Sequence, residues 1–188
     1  MSRSFEFARQ MKDGKPVVEY DLEVKAFPEA QIPEYQTKHS AGAAFFCAEQ
    51  VTIPSIWKQV MESLGANLGS VFVKKENTAD IKPTLVHTGV KANMLEDEVL
   101  EIVNRSSGPK KLGLVLANSV GIIDADYFEN KDNDGEIMFA FYNFKLHDVT
   151  IEVGDRIGQG LFKKVLRPTI GLRVKDEERV GGIGSTGK

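Results

Sequence analysis

Residues 121–138 read GIIDADYFENKDNDGEIM, and this stretch is the strongest indication of the fold. An apolar run stops at Asp124, a segment rich in Asp, Asn and Gly follows over 129–135, and a second apolar run covers 137–141. Strand, polar turn and return strand predict a β-hairpin. A carboxylate where a buried strand meets solvent is well placed as a general base, and Tyr127 could stack on a ringed ligand. The alternative is an ordinary loop, because turns favour Asp and Asn.

Most of the remaining chain also has strand character. Residues 17–27 alternate apolar and polar side chains for most of their length, after the turn signal Asp13-Gly14. Further apolar or alternating segments lie at 45–48, 71–73, 82–90, 98–103, 149–153 and 156–165. Many short strands separated by turns predict an all-β sandwich or barrel. No internal repeat or long linker divides the chain, so a single domain is expected.

Residues 55–68, SIWKQVMESLGANL, have the clearest helical periodicity. Apolar residues recur from Ile56 at i, i+4 and i+8, and Ser55 can cap the start. In a chain of strands, such a helix is expected to be an inserted element. It either covers a sheet edge or subunit surface, or docks a partner through Trp57.

Composition and charge limit the function classes. The 188 residues are 41% hydrophobic and 27% charged, which suits one well-buried core. A net charge of −3 and a pI near 5.7 give no reason to expect nucleic acid or an anionic membrane as a partner. Cys47 is the only cysteine, so neither an intrachain disulfide nor a cysteine zinc site can form, and a reducing cytoplasm is the expected location. The first residues lack the apolar core of a signal peptide, and no apolar run reaches membrane-spanning length.

Three further segments carry groups that bind anions. Arg105, Ser106 and Ser107 offer one guanidinium and two hydroxyls at a strand end, and Gln159 lies between two glycines. The glycine-rich tail at 179–188 supplies backbone N–H donors, although it lacks the spacing of a P-loop. Each segment has an ordinary alternative, namely a polar turn, a solvent-facing strand residue and a disordered terminus.

The sequence offers no side-chain nucleophile with its partners. His39, His87 and His147 are scattered without metal-ligand spacing, and no Ser or Cys has a convincing histidine partner. A water molecule activated by a carboxylate is therefore favoured over a covalent mechanism.

Taken in order, five segments resemble the motifs of the trimeric dUTPases, which hydrolyse dUTP to dUMP and pyrophosphate. The segments are 38–42 (KHSAG) continuing through 48–53 (AEQVTI), 104–107 (NRSS), 113–127 (GLVLANSVGIIDADY), 153–159 (VGDRIGQ) and 179–187 (RVGGIGSTG). The third segment matches closely. Together they cover most of the chain from about residue 32, and they leave out residues 1–30 and an insertion at about 55–80.

The resemblance implies a jelly-roll β-fold. Residues 1–178 would form a single domain that includes the insertion, and residues 179–188 would form a mobile C-terminal arm. The family also implies a homotrimer with three active sites between subunits, in which the arm of one subunit closes a site built by others. The implied cofactor is Mg²⁺, bound mainly through phosphate oxygens and waters without direct protein ligands.

The resemblance also implies roles for the nucleoside-binding residues. Asp124 would orient and deprotonate the water that attacks the α-phosphorus. Tyr127 would pack against the deoxyribose and leave no room for a 2′-hydroxyl. Asn118 and the backbone around Gly121, Ile123 and Met138 would read the uracil edge, and the narrow hairpin would exclude the methyl group of thymine.

The phosphate-binding residues follow in the same way. The side chains implied to hold the α- and β-phosphates are Arg105, Ser106, Ser107 and Gln159. In the arm, Arg179, Ser185 and Thr186 would reach the γ-phosphate, and Ile183 and Gly184 would help to cover the nucleotide.

Three positions depart from the family pattern. Ala44 stands where an acidic residue usually helps to organise the water shell of the metal, Ile183 replaces an aromatic that stacks over uracil, and residues 129–134 replace a tight Arg-Gly turn. Two alternatives to an active dUTPase follow. One is a dUTPase-like nucleotide-binding or regulatory protein with weak or no hydrolysis. The other is a dCTP deaminase, which has a related fold, although Tyr127 and the complete arm argue against it.

Overall fold

Fifteen strands and one α-helix form the regular structure of the residues that the computed structural model describes, which are 3–19, 22–69, 81–168 and 170. The strands are β1 Ser4–Phe7, β2 Met11–Lys12, β3 Lys15–Pro16, β4 Val18–Glu19, β5 Leu22–Glu23, β6 Ala43–Phe46, β7 Val51–Ile53, β8 Thr84–His87, β9 Val90–Asn93, β10 Glu98–Asn104, β11 Leu114–Leu116, β12 Val120–Asp124, β13 Met138–Asn143, β14 Val149–Ile151 and β15 Arg156–Lys164. The helix is α1, Ile56–Gly69. A π-helical turn covers Gly108–Leu112 and a 3₁₀ turn covers Ala125–Tyr127.

Two sheets carry most of the structure. One has the strand order β12-β10-β15-β6 and the other β11-β13-β8. Smaller pairs join β1 to β9, β14 to β7, β2 to β3 and β4 to β5, and all the described strand pairs are antiparallel. The expected all-β fold is confirmed, and it is jelly-roll-like.

Alternating side chains explain why the two sheets enclose a core. Along β10 and β13 every second residue is buried, as a strand with one face toward the interior requires. Phe45, Phe139 and Phe141 are among the largest fully buried side chains. A Cβ at Gly158 would overlap the Phe139 ring. Glycine at this position therefore lets the ring lie directly against β15.

The predicted hairpin at residues 121–138 is wrong in its pairing. Strand β12 pairs with β10, whereas β13 pairs with β11 and β8, so the two apolar runs lie in different sheets. The segment between them therefore crosses from one sheet to the other. Both apolar runs do form strands, but the pattern does not identify the strand with which each run pairs.

Helix α1 confirms the expected insertion. The Ser55 hydroxyl accepts a hydrogen bond from the Trp57 backbone N–H at 3.2 Å and donates to the Lys145 carbonyl at 2.6 Å. The hydroxyl therefore caps the helix and ties it to the end of β13. The Trp57 indole donates to the Phe144 carbonyl at 3.1 Å while the side chain stays about half exposed. No described helix is long and apolar enough to cross a membrane.

The N-terminal segment differs from its prediction in one respect. The Asp13-Gly14 turn joins β2 to β3, with both residues at positive φ (51° and 73°), as expected for a tight hairpin turn. The single strand expected over 17–27 is instead the β4–β5 pair, in which Val18 lies opposite Glu23. The alternation continues through the break, so it did not reveal where the chain turns back.

Candidate active site

Asp124 is the last residue of β12, where it lies opposite Val99 on β10. Its backbone is extended (φ −76°, ψ 156°), and the 3₁₀ turn Ala125–Tyr127 begins directly after it. The side chain is exposed and lines a cleft of about 510 Å³. The other lining residues are Met94, Glu96, Ala125, Asp126 and Arg167. A carboxylate on a rigid strand end that opens into a cleft can position a water molecule and accept its proton.

Tyr127 lies three residues beyond Asp124 and is almost completely buried, with 3% of its surface exposed. Its hydroxyl donates to the Glu136 carbonyl at 3.0 Å and accepts from Asn133 Nδ2 at 2.8 Å. The phenol is thus fixed at its polar end by contacts to protein atoms. The predicted contact with a deoxyribose stays a prediction.

The predicted phosphate-binding residues gather around one pocket of about 150 Å³, called the phosphate pocket below. Its lining residues are Gln36, Ser40, Gly42, Ala44, Arg105, Ser106, Ser107, Arg156 and Gln159. Gln159 lies between Val103 and Ala44 in the ladder of β10, β15 and β6. A Cβ at Gly42 would lie 3.0 Å from Gln159 Oε1, so glycine leaves room for that side chain.

Two arginines give the phosphate pocket its positive charge. Arg105 Nη1 donates to the Arg156 carbonyl at 2.8 Å, and Arg156 Nη1 donates to Gln36 Oε1 at 2.5 Å. Partial burial and the neighbouring Arg156 charge lower the pKa of Arg105. Hydroxyls and an amide beside two guanidinium groups suit a polyanion such as a phosphate chain.

Sequence reasoning missed Arg156, Gln36 and Ser40. Arg156 lies three residues before Gln159, inside the fourth motif-like segment, so its position was an available signal. Gln36 and Ser40 belong to a polar loop with no distinctive pattern, and only the folded chain brings them to this pocket.

The residues predicted to read a base lie partly in each sheet. Gly121 and Ile123 are on β12, opposite Ile102 and Leu100, and a Cβ at Gly121 would overlap the Ile102 side chain. Asn118 lies in the turn just before β12, and its side-chain nitrogen is 3.4 Å from that same Cβ position. Met138 is on β13, opposite His87 in the other sheet. The predicted arm residues Arg179, Ile183, Gly184, Ser185 and Thr186 lie outside the described residues.

Asp124 and the phosphate pocket are far apart in one chain. Asp124 on β12 lies opposite Val99 of β10, whereas Gln159 on β15 lies opposite Val103 of β10. Strands β12 and β15 flank β10 on opposite sides. Four residues of strand and two strand spacings separate their Cα positions by roughly 16 Å. Asp124 and the phosphate pocket are therefore separate places within one chain.

A comparison with protein families identifies the chain. The family model described as dUTPase matches residues 73–187. The chain belongs to the dUTPase family.

Individual members support this membership. The deoxyuridine 5'-triphosphate nucleotidohydrolase of Lactococcus lactis subsp. lactis is 40% identical over 156 residues, which are 83% of this chain and 87% of that protein. The enzyme of the same name from Wolinella succinogenes is 29% identical over 168 residues, covering 88% and 92% of the two chains. The crystal structure of a Streptococcus mutans dUTPase superimposes with a TM-score of 0.63 at 32% identity, covering 88% of this chain and 98% of that one.

Within this dUTPase-family chain the described residues offer no group of three or more His, Cys, Asp or Glu side chains arranged to hold a metal ion. Ala44, at the position where the family usually has an acid, is buried and lines the phosphate pocket beside Gln159. The donors at this pocket are thus neutral or cationic groups.

Proposed function

We propose that the chain hydrolyses dUTP to dUMP and pyrophosphate by attack of a water molecule on the α-phosphorus, with Asp124 as the general base. Family membership supports the substrate and the reaction. The exposed carboxylate at the rigid end of β12, open to a cleft, supports the role of Asp124. In-line attack by a positioned water needs one base and good alignment, without a side-chain nucleophile.

The phosphate pocket is the proposed binding site for the α- and β-phosphates. Arg105 and Gln159 would donate hydrogen bonds to phosphate oxygens, and the hydroxyls of Ser106 and Ser107 would donate two more. Charge developing on the leaving pyrophosphate is stabilised by such preorganised donors. The γ-phosphate is assigned to the arm residues Arg179, Ser185 and Thr186, with Ile183 and Gly184 covering the nucleotide.

The nucleoside would lie against β12 and the segment that follows it. Tyr127 is assigned to the deoxyribose, because it lies three residues beyond Asp124 and its hydroxyl is already held by protein atoms. Asn118, with the backbone around Gly121, Ile123 and Met138, is assigned to the uracil edge.

The active site is proposed to lie between the subunits of a homotrimer. The observation that carries this proposal is the separation of roughly 16 Å between Asp124 and Gln159 along β10. This separation favours an arrangement in which the two residues that serve one substrate come from different copies. The exposed face of β12 supports assembly of several copies. Val120 and Ile122 on this edge strand are 42% and 52% exposed and offer an apolar surface to a second copy.

Mg²⁺ is the proposed cofactor, carried by the phosphates of the substrate. The neutral and cationic donors of the phosphate pocket suit phosphate oxygens and leave no carboxylate there for a metal. When bound, the ion neutralises phosphate charge. The chain itself would hold the phosphate oxygens through Arg105 and Gln159 and the attacking water through Asp124.

The alternative of a nucleotide-binding or regulatory protein with weak hydrolysis rests on two observations. Ala44 removes the usual acid from the phosphate pocket, and helix α1 with its neighbouring loop exposes Trp57, Met61 and Leu146. The assay of pyrophosphate release from dUTP described next decides between hydrolysis and binding without hydrolysis. The cytoplasmic location expected from the single cysteine stays a prediction.

The test is pyrophosphate release from dUTP, measured with and without Mg²⁺, for the wild type and Asp124→Asn. Asn keeps the shape of the side chain but cannot accept the proton, so turnover should fall by about 10²–10⁴-fold. Wild-type turnover should require Mg²⁺. If the wild type is no faster than Asp124→Asn, the hydrolase mechanism is wrong and the regulatory alternative takes its place.

A further inference from the structure

Four charged side chains from distant parts of the chain meet beside the segment that follows Tyr127. They are Arg9, Lys91, Glu129 and Asp134, called the Asp134 cluster below. Arg9 follows β1 and Lys91 lies on β9, whereas Glu129 and Asp134 lie at the two ends of the loop 129–135. The N-terminal segment, which has no counterpart among the family motifs, thus contacts the region of the proposed nucleoside site.

Asp134 is the centre of this cluster, and its side chain is completely buried. Its carboxylate accepts from the Arg9 backbone N–H at 2.8 Å, from Arg9 Nε at 3.0 and 3.1 Å, and from Lys91 Nζ at 3.0 Å. Burial alone would raise the pKa of Asp134, but the hydrogen bonds from Arg9 and Lys91 outweigh it and hold the pKa below its usual value. Glu129 closes the cluster, because its carboxylate accepts from Arg9 Nη2 at 2.9 Å and from Lys91 Nζ at 3.0 Å.

The loop that Asp134 anchors is in turn wrapped around Tyr127. Asn130 Nδ2 donates to the Tyr127 carbonyl at 2.9 Å, and Asn133 Nδ2 donates to the Tyr127 hydroxyl at 2.8 Å. A Cβ at Gly135 would lie 2.7 Å from the Tyr127 carbonyl, so the loop also packs against the backbone of that residue. Both ends of the tyrosine are therefore held by the loop 129–135.

The backbone of this loop does not hold its shape by preference. Glu129 and Asp134 have φ values of 56° and 59°, in the left-handed region that residues other than glycine rarely adopt. Such conformations persist when surrounding contacts enforce them. The ion pairs to Arg9 and Lys91 are contacts of this kind, because each engages a side chain at a strained position.

We propose that the Asp134 cluster positions Tyr127, so that Arg9 of the N-terminal segment helps to set discrimination between dUTP and UTP. The inference rests on the proposed role of Tyr127 at the deoxyribose. Arg9 and Lys91 are positioning residues, which act through Asp134 and the loop. A buried ion cluster contributes less to stability than well-packed apolar side chains of the same size would, whereas its directional hydrogen bonds specify one loop geometry.

The test compares kcat/KM for dUTP and for UTP in Arg9→Gln with that in the wild type. The ratio of the two values should fall about tenfold, because a displaced tyrosine no longer excludes the 2′-hydroxyl. The fall should come mainly from better use of UTP and a higher KM for dUTP, with kcat for dUTP changed by less than about threefold, because Asp124 is untouched.

Arg3→Gln is the matched control. Arg3 lies at the other end of the N-terminal segment and pairs with Glu98, another carboxylate that is almost completely buried, without touching the loop 129–135. This variant should lose comparable thermal stability and keep the wild-type ratio. If Arg9→Gln and Arg3→Gln lower Tm alike and both keep the ratio, the cluster is only structural and the proposal is wrong.

Two further variants keep the result decisive. Asn133→Ala removes the direct contact to the Tyr127 hydroxyl from a half-buried position. If Arg9→Gln does not fold, this variant tests the proposal, and an unchanged ratio would overturn it.

Tyr127→Ala separates this inference from the function on which it rests. A relaxed ratio in Tyr127→Ala with an unchanged ratio in folded Arg9→Gln and Asn133→Ala refutes the inference alone. An unchanged ratio in Tyr127→Ala refutes the sugar-packing role, and the inference with it.

Discussion

The phosphate pocket and the Asp134 cluster hold their charged side chains in opposite settings. In the phosphate pocket Arg156 is exposed and Arg105 is half-buried, and the guanidinium of Arg105 donates to a backbone carbonyl. In the Asp134 cluster Asp134 and Lys91 are buried and bind each other. The first set of charges is open to a ligand that brings its own negative charge, whereas the protein has already neutralised the second.

This difference separates two tasks of a nucleotide-binding site. An exposed charge is screened by solvent and holds its surroundings weakly. A buried ion pair resists rearrangement, because breaking it leaves an uncompensated charge in the interior. The comparison suggests that the polyphosphate is bound by an open, positively charged surface and the nucleoside by a rigid frame.

The largest expected effect concerns the distance between the two parts of the site. Asp124→Asn and Arg105→Gln should each lose roughly 100-fold or more in turnover when assayed alone. When the two variants are unfolded together, mixed 1:1 and refolded, about a quarter of the sites should regain both wild-type residues by random pairing of subunits. Pyrophosphate release from the mixed trimers measures this recovery.

Each variant refolded by itself gives the baseline for that experiment. Activity of the mixture that stays at the baseline would mean that one chain supplies both residues, and the argument from strand register would fail.

The next effect contrasts the stability of the two regions. Lys91→Met removes one partner of a buried carboxylate and should lower the free energy of unfolding by about 3–5 kcal/mol. Arg105→Gln removes a partly exposed charge and should change it by less than about 1 kcal/mol. Denaturant unfolding at one fixed protein concentration measures both, since assembly makes stability depend on concentration. If both variants lose the same free energy of unfolding, the proposed difference between the exposed phosphate pocket and the buried Asp134 cluster is wrong.

The smallest effect concerns His87, a partly exposed side chain that contacts the buried carboxylate of Glu136. Its Nδ1 lies 3.0 Å from a Glu136 carboxylate oxygen, its ring packs against Phe27, and Glu49 lies 3.9 Å from Nε2. The hydrogen bond to Glu136 is the main reason why the pKa of His87 is raised above 6.5. A raised pKa in the folded state stabilises the fold below about pH 6.5, and this contribution disappears as the pH rises through the folded-state pKa.

His87→Gln should therefore flatten the decrease in stability that the wild type shows as the pH rises above 6.5, by less than about 1 kcal/mol. Unfolding midpoints measured from pH 5 to 9 test this expectation. The same mutation at His39, an exposed histidine, is the control. A wild-type profile that rises with pH over this range would contradict the sign.

Local features were predicted from sequence where the signal itself is local. The strand at 98–103, the helix that begins after Ser55 and the tight turn at Asp13-Gly14 all depend on neighbouring residues, and all three agree with the structure. The family was recognised in the same way, because each motif-like segment consists of consecutive residues and the order of the five segments is read directly from the sequence.

Sequence patterns failed where long-range pairing decides. Two apolar runs around a polar turn were expected to pair with each other, yet β12 and β13 lie in different sheets. Arg156 reaches the phosphate pocket through the ladder of β15, and Arg9 meets Asp134 across 125 positions of sequence. Arg156 at least lies within a motif-like segment, whereas neither composition nor spacing marks the pairing of Arg9 with Asp134.

The sequence by itself determined where many of the strands lie, where the helix starts, and which family the motifs resemble, because a period of two or of 3.6 residues and a motif are properties of consecutive residues. The tertiary structure alone decided that Asp124 lies far from the phosphate pocket of its own chain and that a buried carboxylate holds the loop around Tyr127. Both results depend on which strands pair and on which charges lose their contact with water, and these are settled only when the whole chain closes around its core.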